Sequence, residues 1–272
     1  MGQCEGLCSQ DGQRNRHLRL FCIVSLPENK LLTAESGVFG RQSSIRLMER
    51  TFVETDSVKL FKGTNRKYMY SLLASIFEVD SNYIQYDGHN EDQDIEHVER
   101  VFAYELYRQW CDHPIIRNDK NLVINVEIPK NLIDESRIND IPLMYPDMVL
   151  HYGQDNYKGN QIVCEIKREG YAKQYPDKVL DDFKKIYFYL DKQLKVKANN
   201  KNWEPFKIGV FILTKREDAI QPLSVNNIVE LLGEKVREVK TFPEIIKKRI
   251  VCVVYNGKDL KYDTLYNMIN II

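Results

Sequence analysis

Residues 145–170, YPDMVLHYGQDNYKGNQIVCEIKREG, set Asp147 after a proline at the start of one apolar run and Glu165-Ile166-Lys167 at the end of the next. Charged groups in segments that otherwise read as buried sheet call for a physical reason, because burying an uncompensated charge is costly. Strand alternation supplies part of it. Ile162, Cys164 and Ile166 share one face of the second run, and Val163, Glu165 and Lys167 share the other. Glu165 and Lys167 therefore point the same way, about 7 Å apart along the strand. A hairpin with its loop near 153–160 would bring Asp147 level with Glu165. Two carboxylates then converge beside one ammonium. Such a set suits a hard divalent cation: Mg²⁺ takes oxygen ligands and keeps several waters, so two carboxylates and a backbone carbonyl are enough to hold it. A metal held there can polarise a phosphodiester, activate a water and steady the leaving oxygen. Lys167 would orient the water or stabilise the charge growing on the phosphate. The competing reading is a structural Asp-Lys-Glu network at a sheet edge, where inward-pointing charges guard against aggregation. The three residues alone favour neither.

The surrounding chain must place these groups. IEHVERVFAYELYRQW, 95–110, spaces Ile95, Val98, Phe102, Leu106 and Trp110 as one helical stripe, with acidic residues near its start to suit the macrodipole. NLVINVEIPK, 121–130, reads as a strand, and DMVLHY and QIVCEIK as two more joined by the Gly- and Asn-containing GQDNYKGN. PDKVLDDFKKIYFYLDKQLKVK, 176–197, reads as a helix opened by Pro176. FKIGVFILT, 206–214, is apolar almost throughout, which predicts a central strand. A helix capped by Ser224 runs to about Val239, and RIVCVVYNG, 249–257, is a last strand. Upstream, HLRLFCIVSL reads as a strand, SSIRLMERTF and NRKYMYSLLASIF as helices, and residues 1–16 as a loosely held polar segment. The aperiodic DGHNEDQD, 87–94, is the best boundary. It divides an accessory region, 1–94, suited to specificity or partner binding, from a domain over 95–272.

Pro146-Asp147, seventeen intervening residues and Glu165-Ile166-Lys167, set in the order helix, three strands, helix, strand over 95–214, resemble the PD-(D/E)XK phosphodiesterases, the restriction-endonuclease-like nucleases. The resemblance implies an α/β fold with a mixed central sheet flanked by helices. It also implies a metal-dependent nuclease acting on nucleic acid, DNA first, with Mg²⁺ as cofactor and Mn²⁺ able to replace it. Asp147 and Glu165 would bind metal, Lys167 would serve catalysis, and an acid on the preceding helix would complete the metal site. Glu99 lies on the stripe of Ile95, Phe102 and Leu106 and so faces the sheet, whereas its rival Glu105 sits one residue off that stripe. Spacing favours Glu99. The alternative function is a non-catalytic nucleic-acid-binding or assembly protein that keeps the fold.

With 39 basic and 39 acidic residues the chain has no net charge, so no global field advertises a polyanionic partner. Between Lys167 and Lys201, however, ten basic residues face five acidic ones, an excess of five that makes a local basic face. Lys178, Lys184 and Lys185 could touch phosphate from it, although pairing with Asp181 and Asp182 within the helix accounts for them as well. His151 shares the Asp147 face two alternations away and is expected at the strand end in water. Cys4, Cys8, His17 and Cys22 have zinc-site composition without a matching spacing. No run is apolar enough to span a bilayer, the N-terminus lacks the order of a secretory signal, and Gly6 breaks the myristoylation pattern. With cysteines placed like reduced core thiols, this predicts a cytoplasmic protein with no membrane partner. Oligomeric state is open, a homodimer included.

Overall fold

Alternating side chains on the central strands divide the core into two apolar layers, one on each face of a six-stranded sheet. The structure is a computed structural model that describes residues 61–85, 94–126, 146–153, 159–191, 197–198, 201–202, 204–216 and 223–270, without the side chains of 85, 94–98, 197–198 and 201–202. In chain order come helices α1 (Thr64–Glu78), α2 (Asn82–Gln85), α3 (Asp94–Asp112) and α4 (Pro114–Arg117). Strands β1 (Leu122–Val126), β2 (Met148–Tyr152) and β3 (Asn160–Arg168) follow, then α5 (Glu169–Gln174) and α6 (Pro176–Leu190). A short pair, β4 (Lys197–Ala198) and β5 (Lys201–Asn202), precedes β6 (Ile208–Thr214). Helices α7 (Asn226–Leu232), α8 (Val236–Lys240) and α9 (Glu244–Lys247) lead to β7 (Ile250–Tyr255), β8 (Leu260–Thr264) and α10 (Leu265–Asn270).

The sheet runs β1-β2-β3-β6-β7-β8, antiparallel at both ends and parallel through β3, β6 and β7. The mixed α/β class expected from the sequence is present. Ile162, Cys164 and Ile166 turn to the layer closed by α1, α3 and α4, while Val163 turns to the layer closed by α6 and α7, as alternation requires. Every residue of β6 is buried, which is why its sequence shows no polar face. Residues 47–272 form one compact unit, in which α1 packs on α3 and β3 and places Tyr68, Leu72 and Ile76 in the first layer. The segments 17–26 and 43–52, the zinc-like Cys4, Cys8, His17 and Cys22, and the stretch 86–93 lie outside the described residues. Among the described residues no helix is long and apolar enough to cross a membrane.

Three expectations need correction. The helix expected over 176–197 ends at Leu190, where Asp191 turns extended, and Lys197–Ala198 is strand. Its last carbonyls find tertiary partners instead of a further turn. Phe206 N donates to Tyr189 O at 2.9 Å, and the Arg249 guanidinium donates to Leu190 O at 3.0 Å as well as to Lys207 O and Phe206 O. The helix expected from Ser224 to Val239 is broken at Gly233, whose φ of 51° is left-handed, into α7, a single 3₁₀ turn and α8. The N-cap of α7 is Val225, with no capping side chain, while Ser224, expected as the cap, lies one residue earlier and its Oγ accepts from Asn226 N at 3.2 Å. Finally, LKYDT adds β8 at the sheet edge, a short strand with mixed exposure whose sequence pattern is too weak to mark it.

Gly209 sets how closely α6 approaches the sheet. A Cβ there would lie 2.2 Å from Ile186 Cγ2 and 3.2 Å from Leu190 Cδ1, both on α6. Gly209→Ala is therefore expected to destabilise the fold by about 1–3 kcal/mol, the usual cost of overpacking. Ile186→Ala clears the clash, so in a denaturant-melt cycle the double variant should lose less than the sum of the singles. Simple additivity would show that Gly209 has no such packing role.

Candidate active site

The β2–β3 hairpin fixes the first half of the cluster. Met148 pairs with Cys164, so Asp147, one residue before Met148, comes level with Glu165, as the sequence predicted. Asp147 Oδ2 accepts a 2.6 Å hydrogen bond from Ile166 N, which pins the carboxylate to the neighbouring strand. Glu165 is fully buried. Its Oε2 is 3.0 Å from Lys185 Nζ, while Oε1 is buried and accepts no hydrogen bond.

Lys167 and Glu99 complete the group at the end of β3. Lys167 Nζ donates to Glu99 Oε2 at 3.4 Å and to Ile166 O at 3.3 Å, and it lies 5.7 Å from the centre of the Tyr171 ring. Glu99 Oε1 accepts from Arg168 N at 3.0 Å, so the second turn of α3 is tied to the end of the strand through both carboxylate oxygens. All four residues expected at the site, Glu99, Asp147, Glu165 and Lys167, are thus brought together. Glu105 is not among them: it is bound by Arg108 and Gln109 of its own helix, and the Arg108 hydrogen bond holds its carboxyl below the usual range. A cleft of about 190 Å³ opens beside the group, lined by Glu99, Arg100, Asp147, Ile166, Lys167 and Tyr171.

Helix α6 adds two residues that sequence reasoning did not place at the centre. Asp182 is 2% exposed, close to as buried as the apolar core around it. Its Oδ1 is 2.7 Å from Lys185 Nζ and its Oδ2 is 3.2 Å from Lys167 Nζ, the latter a contact by distance without hydrogen-bond alignment. The signal was present in the spacing, because Asp182 falls three residues after Val179 and four before Ile186, on the buried stripe of the helix. Lys185 does pair within its helix, as one reading had it, but it also reaches across to Glu165. Lys184 pairs instead with Glu238 at 2.8 Å, and Lys178 is exposed. His151 is not at a solvated strand end: it is buried, with Nε2 2.6 Å from Asn125 Nδ2 of the neighbouring β1 and Nδ1 2.7 Å from Tyr152 O.

The charges do not balance. Glu99, Asp147, Glu165 and Asp182 set four carboxyl groups against the two ammoniums of Lys167 and Lys185, a formal excess of two negative charges if all are ionised, and the cluster relieves it by favouring protonated carboxyls. Burial pushes the Glu165 carboxyl well above its usual range, and Asp147 and Asp182 push it further. Burial also raises Asp147, against the opposing pull of Lys167 and the Ile166 N–H. Glu99 rises to about 7, again through burial. For Lys167 and Lys185 burial favours the neutral amine, but the surrounding carboxylates outweigh it and both stay firmly protonated. Among the described residues no three His, Cys, Asp or Glu side chains are grouped to cage a metal. Asp147 and Glu165 are the pair that could hold a Mg²⁺ ion, with water filling the remaining positions, whereas both oxygens of Glu99, expected as a third ligand, are engaged by Lys167 Nζ and Arg168 N. The formal excess of two negative charges and the unpartnered Glu165 Oε1 both fit a divalent ion.

The raised Glu99 value carries a pH dependence. Between its ordinary value of 4.5 and about 7, folded Glu99 holds a proton that the unfolded chain has lost, so stability falls as pH rises through that window. The effect amounts to at most about 3 kcal/mol. Glu99→Gln should flatten the pH profile of the melting temperature in chelator and raise stability at the alkaline end. An unchanged slope would remove Glu99 from the buried cluster.

No family model matches the chain, and no curated protein or solved structure matches it either.

Proposed function

We propose that the chain is a metal-dependent nuclease that hydrolyses phosphodiester bonds, of DNA first, on a restriction-endonuclease-like core of the PD-(D/E)XK type. The observation that carries this reading is the convergence of Asp147, Glu165, Lys167 and Glu99 at one end of the β2–β3 hairpin, beside a cleft and with four carboxyl groups set against two ammoniums. A purely structural ion network would be expected to close its charges, as buried ions are costly when unpaired.

Mg²⁺, or Mn²⁺ in its place, would supply a polarised phosphoryl oxygen and an acidified water. Asp147, oriented by the Ile166 N–H, and Glu165, held on the rigid centre of the sheet, would bind the ion. Lys167 is braced from two sides by Glu99 and Asp182, so its ammonium is set before substrate arrives. It would donate to the phosphoryl oxygen on which charge grows, a preorganised contact that needs no rearrangement during the reaction. In the hydrolysis the water oxygen bonds to phosphorus, the phosphorus–oxygen bond to the leaving strand breaks, and the water's proton is carried to solvent or to the leaving oxygen. Glu99, by its hydrogen bond from Arg168 N, keeps α3 closed on the strand end and Lys167 on the cleft wall.

Two outcomes are expected. Lys167→Met keeps the apolar stem and removes the ammonium, so the fold and metal binding should survive while cleavage of plasmid and oligonucleotide substrates falls by about a hundredfold or more. Asp147→Asn should lose both. Cutting by the Lys167→Met protein at the wild-type rate would end the catalytic assignment. Adding Mg²⁺ or Mn²⁺ to chelator-treated protein should raise its melting temperature, because the folded state alone presents the converged carboxylates. A melting temperature unmoved up to millimolar ion, with no heat in calorimetry, would leave a nucleic-acid-binding or structural protein as the better description.

A further inference from the structure

Five charged groups alternate in sign from the wall of the cleft to the buried centre of β3. Glu99 Oε2 lies 3.4 Å from Lys167 Nζ, Lys167 Nζ 3.2 Å from Asp182 Oδ2, Asp182 Oδ1 2.7 Å from Lys185 Nζ, and Lys185 Nζ 3.0 Å from Glu165 Oε2. Asp182 is the middle member and gives a separate oxygen to each ammonium. Its side chain is 3% exposed, whereas that of Lys185 is 25% exposed and so has a route towards solvent.

We infer that Asp182 is the positioning residue of the site and that Lys185 is a built-in stand-in for the metal ion, holding Glu165 until a divalent cation takes its place. The inference rests on the metal-binding reading of Asp147 and Glu165. Lys185 sits on one oxygen of a carboxylate whose other oxygen is unpartnered and which nothing else neutralises directly. An incoming cation meets that ammonium as a like charge and as a competitor for the same carboxylate. Asp182 offsets this in two ways: it adds negative charge close by, and it holds Lys185 from the helix side so that the lysine can let go of Glu165 without losing its partner. The same aspartate keeps Lys167 at the cleft, so the two lysines are assigned different tasks by which oxygen of Asp182 they touch.

The charges predict effects of opposite sign, which a merely structural role would not give. Mn²⁺ is titrated into the full chain by calorimetry and followed by loss of the free-ion electron paramagnetic resonance signal, at a pH of about 8.5 so that accessible carboxylates are ionised. Lys185→Gln keeps a donor for Glu165 but removes the charge, and should bind Mn²⁺ about tenfold more tightly than wild type or better. Asp182→Asn should bind it about tenfold more weakly or worse. The double variant should return towards the wild-type affinity, and Asp182→Glu, which keeps the charge, should lie nearer wild type than Asp182→Asn. Circular dichroism and a cooperative melt establish that each variant is folded; if Asp182→Asn is not, the Lys185→Gln arm decides alone. Mn²⁺ binding to Lys185→Gln that is unchanged or weaker overturns the inference while leaving the metal reading intact. Wild-type protein that binds no Mn²⁺ overturns both.

Discussion

Desolvated charge at the end of β3 is the constraint around which the site is arranged. A carboxylate in the middle of a buried strand is tolerated only with compensation, and Glu165 has one ammonium against its own charge and two further acids nearby. The charged groups around it come from three places in the fold: Asp147 is aligned by the hairpin, Glu99 by α3, Asp182 and Lys185 by α6. Removing Lys185 would leave Glu165 without its ammonium in a low-dielectric setting, where the loss is larger than the pair was worth, whereas removing one of the acids relieves part of the repulsion. Helices on both faces of the sheet are therefore coupled through the side chains of a single strand.

That coupling depends on close packing between α6 and the sheet. Gly209 on β6 leaves room for Ile186 and Leu190, and Arg249 at the start of β7 ties the helix end by its carbonyls. Asp182 lies one turn before Ile186 on the same buried stripe of α6, so its reach to β3 follows from the apolar contacts that seat that stripe on the sheet. The stacked pair Phe183 and Phe211, 4.7 Å between ring centres, adds a contact of the same kind.

Much of this was legible in the sequence, for identifiable reasons. Period-two alternation fixed which side chains of β3 share a face, and the short Gly- and Asn-bearing connection implied the antiparallel pairing that sets Asp147 against Glu165. Helical spacing separated Glu99 from Glu105 because a single residue on a helix turns the side chain through a large angle. Asp182 reads from the sequence as a surface partner of its helix lysines, because charge on a lysine-rich helix suggests a solvated face even where its spacing places it on the buried stripe. The end of α6 at Leu190 was not legible, since the groups that donate to its last carbonyls, Arg249 and Phe206, lie beyond it in the chain. His151 was misplaced for a like reason: nothing within β2 reveals that Asn125 of the neighbouring β1 will meet its ring.

Sequence distance within the cluster has a kinetic consequence. Glu99 meets Lys167 across 68 residues and Arg168 across 69, whereas Asp147 and Lys185 meet β3 across 19 and 20. Loop closure makes the long contact the slower to form, and the parallel pairing of β3, β6 and β7 is non-local as well. The hairpin and α6 can thus collapse together early while α3 docks late, so a partly folded chain holds the two strand carboxylates without the glutamate that closes the end of β3. Completion of the cluster is in that sense a report that the whole sheet and its helices have assembled.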